Sequence, residues 1–449
     1  MKKCISGRIV LLFLFIAISF IDSNAQIITT FAGNGTSGTH GDGGAARSAQ
    51  LCAPYGVAID RHGNIYIADW CGHSVRKVNT YRVITTVAGN DTAGFSGDDG
   101  LAINAQLNTP TGVSVDTAGN LYIADQQNNR IRKVSTTGII STIAGTNVRG
   151  YNGDDMAATM AQLSLPTGVF ADKKGNVFIA DYGNGRIRKI NAAGTIISVA
   201  GYGPQGFSGD GGVATLAELD YPSGVITDAI GNIFVADQSN NRIRKIDTGG
   251  IISTFAGTGS WGVSSGGYSG DGGQAAAAEM HGPTGLTLDG SGNMYIADQA
   301  NNAIRKINAN GVITTIAGTG VKGFNGDEGA ATISELYSPD GVAVDDTGNV
   351  YVADWGNSRL RMITNKTSAV GAVMAPANGI MLFPNPATGE LSIHADEQIE
   401  SILISSIVGQ PVISQIVGAS VTRIDISSLP GGIYILTVNG SAVSKFVKK

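Results

Sequence analysis

Seven residues stand out as able to do chemistry because they break an otherwise regular pattern: Tyr55, Trp70, His73, Trp261, His281, Asp340 and Trp355. Trp and Tyr offer flat apolar faces with one polar edge, which suits stacking on sugar rings or anchoring a protein interface. His73 and His281, with His40 and Asp340, are residue types that a metal-assisted lyase or lactonase would gather around one ion. A single carboxylate is sparse for that task, so the set favours non-catalytic binding of a protein or glycan. Cys52 and Cys71 are expected to form a disulfide, which export to an oxidising compartment allows. The alternative, a Cys/His metal site with His40 and His73, lacks zinc-motif spacing. No Ser-His-Asp set, P-loop or dinucleotide fingerprint occurs in a credible context, so neither cofactor nor metal is expected.

The elements that position these residues are repeats. Six Pro-x-Gly segments begin at Pro54, Pro110, Pro166, Pro222, Pro283 and Pro339, spaced 56, 56, 56, 61 and 56 residues apart. Each leads through a β-branched run and an Asp-x-x-Gly-Asn turn into an apolar run ending in Ala-Asp, then a polar loop and an x-Arg-Lys run. A second anchor, Ala-Gly, recurs at Ala32, Ala88, Ala144, Ala200, Ala256 and Ala317. In the second repeat the pattern predicts strands at 112–116, 120–125, 130–134 and 139–144. Four short antiparallel strands repeated radially predict an all-β, six-bladed β-propeller. The Ile27–Ala32 strand precedes the first repeat and none follows the sixth, so the N-terminal strand should complete the last blade and hide both edges. The irregular residues fall in repeats 5, 6 and 1, neighbours in a closed ring, and all three Trp residues of the chain lie there. The variable residue of Pro-x-Gly should line the channel mouth: Tyr55, Thr111, Thr167, Ser223, Thr284 and Asp340.

Features present six times serve the blade rather than a site. These are the strand-ending Asp69, Asp125, Asp181, Asp237, Asp298 and Asp354, and, seven residues on, Arg76, Arg132, Arg188, Arg244, Arg305 and Arg361. The Asp is expected to cap the turn and hold the Arg, in pairs whose worth is small if exposed. The inserts carry Asp42, Asp98, Asp154, Asp210, Asp271 and Asp327 before an Ala-rich segment, which predicts an N-cap and a short helix. A Ca²⁺ loop is the alternative, though most copies offer too few carboxylates.

The Tyr/Phe-Ile/Val-Ala-Asp-x-x-Asn-x-Arg-Ile/Leu-Arg core of these repeats, over about residues 27–363, resembles the NHL repeat. The Gly-Asp-Gly-Gly inserts are similar to those of bacterial exported NHL propellers. That resemblance implies the propeller fold, and leaves protein-binding, RNA-binding and lyase-type activities open. Composition narrows the choice. Lys2, Lys3 and Arg8, the apolar run Ile9–Ile21 and Ser23-Asn24-Ala25 read as a signal peptide over 1–25, too short to span a membrane. Without it the chain has 27 basic against 34 acidic residues, a formal charge of −7, which disfavours nucleic acid. The mature chain should carry no transmembrane segment. The repeats should occupy 26–364 and a Ser/Thr/Ala/Pro linker 365–378. Residues 379–449, with Phe383-Pro384-Asn385-Pro386, Leu429-Pro430-Gly431-Gly432-Ile433-Tyr434 and a basic end, resemble the type A sorting domain of the Bacteroidetes type IX secretion system. The resemblance implies a small β-sandwich read by that machinery, and a secreted or outer-surface protein exported through the periplasm.

Overall fold

The computed structural model describes residues 26–259, 266–365, 380–383, 387–407, 409–440 and 442–448. The signal-peptide segment 1–25, nearly all of the expected linker, and Trp261 lie outside the described residues. The chain divides into two compact units, Met1–Asn365 and Lys366–Lys449. Both are all-β apart from single-turn 3₁₀ helices in the first.

The first unit contains six antiparallel sheets of four or five strands, as a propeller requires. Sequence order is spatial order: in the first repeat Pro54–Ile59, Ile65–Asp69, Ser74–Val78 and Ile84–Ala88 pair in succession. In the second, the strands are Pro110–Val115, Leu121–Asp125, Arg130–Val134 and Ile140–Ala144, within two residues of the sequence expectation. Asp116 fixes the first hairpin, its Oδ1 accepting the N–H groups of Ala118 and Asn120. In the sheet that begins at Pro339, the N-terminal strand Gln26–Ala32 pairs antiparallel with Arg359–Asn365, Gln26 opposite Asn365.

Apolar cores lie between successive sheets rather than within any one of them. Tyr66, Ala68 and Val75 of the first repeat pack with Val113, Leu121 and Ile123 of the second. Phe31 of the N-terminal strand and Tyr351 of the sixth repeat pack with Val57 and Ile67 of the first. The inner strands approach so closely that only glycine fits the Pro-x-Gly column. A Cβ on Gly112 would lie 2.3 Å from the Thr167 carbonyl oxygen, and one on Gly341 would lie 2.4 Å from that of Tyr55. The hydroxyls beside these glycines latch the sheets together: Thr167 Oγ1 donates to the Ser223 carbonyl at 2.9 Å, and Thr284 Oγ1 to that of Asp340 at 2.9 Å.

The repeated Arg is the axis of each sheet, and here the sequence expectation needs correction. Arg132 is fully buried, not part of an exposed pair, and lies between Asp125 at 3.3 Å and the insert residue Asp98 at 2.8 Å. The same two-carboxylate fork recurs at Arg76, Arg188, Arg244, Arg305 and Arg361. The insert Asp residues are therefore not helix caps. The segments that follow are three-residue 3₁₀ turns such as Ala102–Asn104, with no side-chain cap, and each Asp is committed to its Arg. An anion 34 residues before a buried guanidinium outcompetes a cap four residues away because desolvated charge demands a counter-charge.

In the second unit, the expected two-sheet sandwich takes the form of one hydrogen-bonded five-stranded sheet. Glu390–Ser406 pairs along its length with Pro411–Asp425, and with Ile380–Phe383 and Gly432–Val438 on its other edge. Its register breaks between His394 and Ile399, and the sheet encloses a core that includes Leu391, Ile404, Leu436 and Phe446.

Candidate functional site

The loop after each repeat's second strand starts with Trp70, Gln126, Tyr182, Gln238, Gln299 or Trp355. Five of these loops fold as a 3₁₀ turn held by Asn: Asn128 Nδ2 donates to Asp125 Oδ2 at 2.8 Å and to the Gly94 carbonyl at 2.7 Å. The residue before each Pro is left-handed, with φ of 53° at Ala53, 51° at Thr109, 49° at Leu165, 49° at Tyr221, 62° at Gly282 and 47° at Ser338. For Thr109 and Tyr221 that is a strained conformation, and such strain persists only where the surroundings fix it.

These two rows bring aromatic rings together. Trp70 and Trp355 meet edge to face with centroids 6.5 Å apart. Tyr182 and Tyr221, from consecutive repeats, lie 4.7 Å apart. All four are partly exposed. Tyr55 is near both Asp340 and Tyr182: burial, then the charges of those two groups, pushes its phenol well above the usual range. Trp70 with Trp355, and Tyr182 with Tyr221, thus form two aromatic pairs, with Tyr55 near the second.

Below the rings is a central cavity of about 230 Å³ lined by all six inner strands, with Tyr55 and Asp340 in its wall. Asp340 is 2% exposed, and its Oδ1 accepts a hydrogen bond from Gln299 Nε2 at 2.6 Å. Burial pushes its carboxyl well above the usual range, outweighing the Gln299 bond that opposes the shift. An Asp in the unfolded chain ionises near its ordinary value of 3.8, whereas the folded chain keeps this proton to higher pH. The stability from this group is complete below that value and is lost as pH rises through the folded one. Asp340→Asn should therefore melt close to the native chain at pH 4 and progressively above it toward pH 8.5. Thermal melts that differ equally at both pH values would refute a neutral Asp340.

Two of the sequence candidates, His73 and His281, make contacts of the repeat frame. His73 replaces the Asn that latches one repeat to the next: its Nδ1 accepts the Thr109 N–H at 3.2 Å, as Asn129 Oδ1 accepts that of Leu165 at 3.0 Å. Its role is structural. His281 donates its backbone N–H to Asp298, and Gly266 packs on its side chain. Trp261 is not among the described residues. No three His, Cys, Asp or Glu side chains among the described residues come close enough to hold a metal ion, so Asp340, His40, His73 and His281 form no ligand cluster. Conversely, sequence reasoning missed Tyr182, Tyr221 and Gln299. The signal was available, since Tyr182 and Gln299 occupy the column of Trp70 and Trp355.

Cys52 and Cys71 are joined, with Cα atoms 5.2 Å apart. This loop has Gly72 where the others carry the turn-holding Asn, as at Asn128. Asp69 consequently loses a donor: its Oδ2 has no hydrogen bond, and the nearest Arg76 nitrogen is 3.6 Å away. Burial pushes its carboxyl to about 7, against about 6 for Asp125. The disulfide does covalently what the Asn does elsewhere.

Comparison with known proteins follows this division. The Secretion system C-terminal sorting domain matches residues 381–449, which indicates type IX export to the cell surface or the medium. No helix among the described residues is long and apolar enough to cross a membrane. The Teneurin NHL domain matches 17–96, 92–152, 200–266 and 264–325, together more than half of the chain, and the NHL repeat matches 336–361. Human Teneurin-1 is 33% identical over 231 residues, 46% of this chain but only 8% of that protein's length. Among solved structures, a Bacteroides thetaiotaomicron protein of unknown function superposes with a TM-score of 0.55 at 19% identity, covering 76% of each chain. An auxiliary nutrient binding protein from Bacteroides ovatus gives a TM-score of 0.54 at 14% identity, over 76% of this chain and 77% of that one. At such identities they share the fold. Sheets, repeat motif and family match agree: the chain belongs to the Teneurin NHL domain family, its NHL repeats followed by a secretion-system sorting domain.

Proposed function

We propose that the chain is a six-bladed NHL propeller, closed by its N-terminal strand, that binds an extracellular protein or glycan without catalysis. In this reading 1–25 is a cleaved signal peptide, 26–364 the propeller, 365–378 a linker and 379–449 the sorting domain. The carrying observation is the two partly exposed aromatic pairs, Trp70 with Trp355 and Tyr182 with Tyr221, with Tyr55 beside the second; we take them to border one mouth. Exposed aromatic groups of this kind anchor interfaces and stack on sugars. That a protein of the same fold is described as an auxiliary nutrient binding protein is in keeping with it.

The test is a glycan and surface-protein array probed with the native chain, Trp70→Ala and Trp355→Ala. Each substitution should weaken the principal signal at least tenfold, the loss of one hot-spot aromatic. Binding that survives both changes places the site elsewhere. A stoichiometric transition metal with turnover would instead support the lyase or lactonase reading.

A further inference from the structure

We propose that the central cavity beneath the aromatic mouth is a site for a primary ammonium group, seated against Asp340. The proposal rests on the mouth being a binding surface and names what its deepest part accepts. The cavity wall mixes backbone and hydroxyl groups with the edges of Val57, Val113, Val169, Val225, Leu286 and Val342, whose side chains belong mostly to the cores between sheets, and no Lys, Arg or His lines it. The hydroxyls of Thr111, Thr167, Ser223 and Thr284 are already committed to neighbouring carbonyls. Asp340 stands in that same column, where a hydroxyl would complete the latch to the first repeat. Its Oδ1 accepts from Gln299 Nε2 at 2.6 Å.

A carboxyl that is almost wholly buried, has one hydrogen-bond donor and faces no counter-charge is costly to ionise. Ionisation becomes favourable when a ligand supplies the charge. A Ca²⁺ ion would need six to eight oxygens. An ammonium on a short hydrocarbon stem needs one acid, an apolar sleeve and an aromatic rim, and Tyr55 provides part of that rim. The groups facing Asp340 are Gln299 and Thr284 from the fifth repeat and Tyr55 from the first, with Tyr182 beyond Tyr55. None is a base that could take its proton. Burial holds the empty site's carboxyl above the usual carboxylate range, so it keeps its proton to higher pH than an exposed Asp. Binding therefore pairs R–NH₃⁺ with a carboxylate and releases the carboxyl proton to solvent.

The experiment is calorimetric titration of n-butylammonium chloride into the whole chain at pH 7, in two buffers of different ionisation enthalpy. Saturable binding is expected, with net proton release that grows as the titration is repeated at lower pH, where the buried carboxyl of the empty site holds its proton, and n-butanol should bind at least tenfold more weakly. Asp340→Asn, which can still accept from Gln299, should bind the amine at least tenfold more weakly and release no proton. Glycinamide and N-acetyl-lysine amide then distinguish a chain terminus from a lysine side chain as the natural source. Equal binding of butanol, or unchanged binding and proton release in Asp340→Asn, overturns the proposal. Absence of amine binding while array signals still depend on Trp70 and Trp355 overturns the ammonium site and leaves the mouth in place. Amine binding through Asp340 with array signals indifferent to both Trp residues overturns the mouth instead.

Discussion

Replacing Arg244 with methionine is expected to destabilise the repeat-bearing unit by about 3–5 kcal/mol, the cost of leaving a buried charge without its partner. Arg244 is fully buried, 2.7 Å from Asp210 and 3.2 Å from Asp237, and also donates to the Ser208 carbonyl at 3.0 Å. Methionine fills much of the volume, so the loss is electrostatic rather than a cavity effect. Asp210 is partly exposed and can turn to water; Asp237 cannot. Burial already pushes Asp237 to about 6 with the guanidinium present, and removing the cation pushes it higher. The variant should therefore lose least near pH 5, where Asp237 takes up its proton, and most above pH 7. Asp237→Asn/Arg244→Met should lose clearly less than the sum of the single changes. Denaturant midpoints of native, single and double variants at pH 5 and pH 8 measure all of this. A single variant within about 0.5 kcal/mol of the native chain, the usual effect of a surface substitution, would show that the fork is not structural.

The second large effect is expected from Cys52→Ser/Cys71→Ser. The bridge closes a sequence separation of 19 residues, for which chain-entropy arguments give about 3 kcal/mol. Its loss is felt locally because Gly72 provides no Asn side chain to hold this loop to its insert. Trp70 is adjacent to Cys71, so the Trp70–Trp355 contact should loosen with it. The double variant should unfold at lower denaturant concentration and show altered Trp fluorescence before the main transition. Reductant should shift the native chain to the same midpoint and leave the variant unmoved. If all three midpoints coincide, the backbone bonds of Cys71 to Cys52 and Trp70 to Ala53 hold the loop without the bridge.

Spacing made the fold legible. The Pro-x-Gly and Ala-Gly columns locate strands to within two residues because sheet register is set by alternation and by tight turns. What could not be read locally was partnership. Asp98 looked like a cap because the Ala-rich segment beside it is near in sequence, whereas its true partner Arg132 is 34 residues on. That separation is the same in all six repeats, even though the fifth insert is longer, and a search for constant offsets would have found it. At the mouth, Trp70, Trp355, Tyr55 and Asp340 stood out as unlike their columns. Tyr182 was legible from its column, but Tyr221 was not, because it is not unusual until the left-handed turn before Pro222 brings its ring against Tyr182. His73 misled for the opposite reason: it is unusual in type, yet it makes the contact its Asn counterparts make.

The pairing of Gln26 with Asn365 also fixes an order of events. Every other sheet in the repeat unit can pair its main strands from one contiguous stretch, but the last sheet needs residues more than 300 positions apart. Contacts that distant are slow to form, because the loop-closure entropy is lost before any pairing energy is gained. The chain must therefore pass through a state in which five sheets are assembled and the sixth has an open edge. Both Gln26–Ala32 and the outer side of Arg359–Asn365 are then bare strands, able to pair with another copy as readily as with each other. Dilution during refolding should raise the yield of monomer steeply, since the intramolecular step is independent of concentration and the competing one is not.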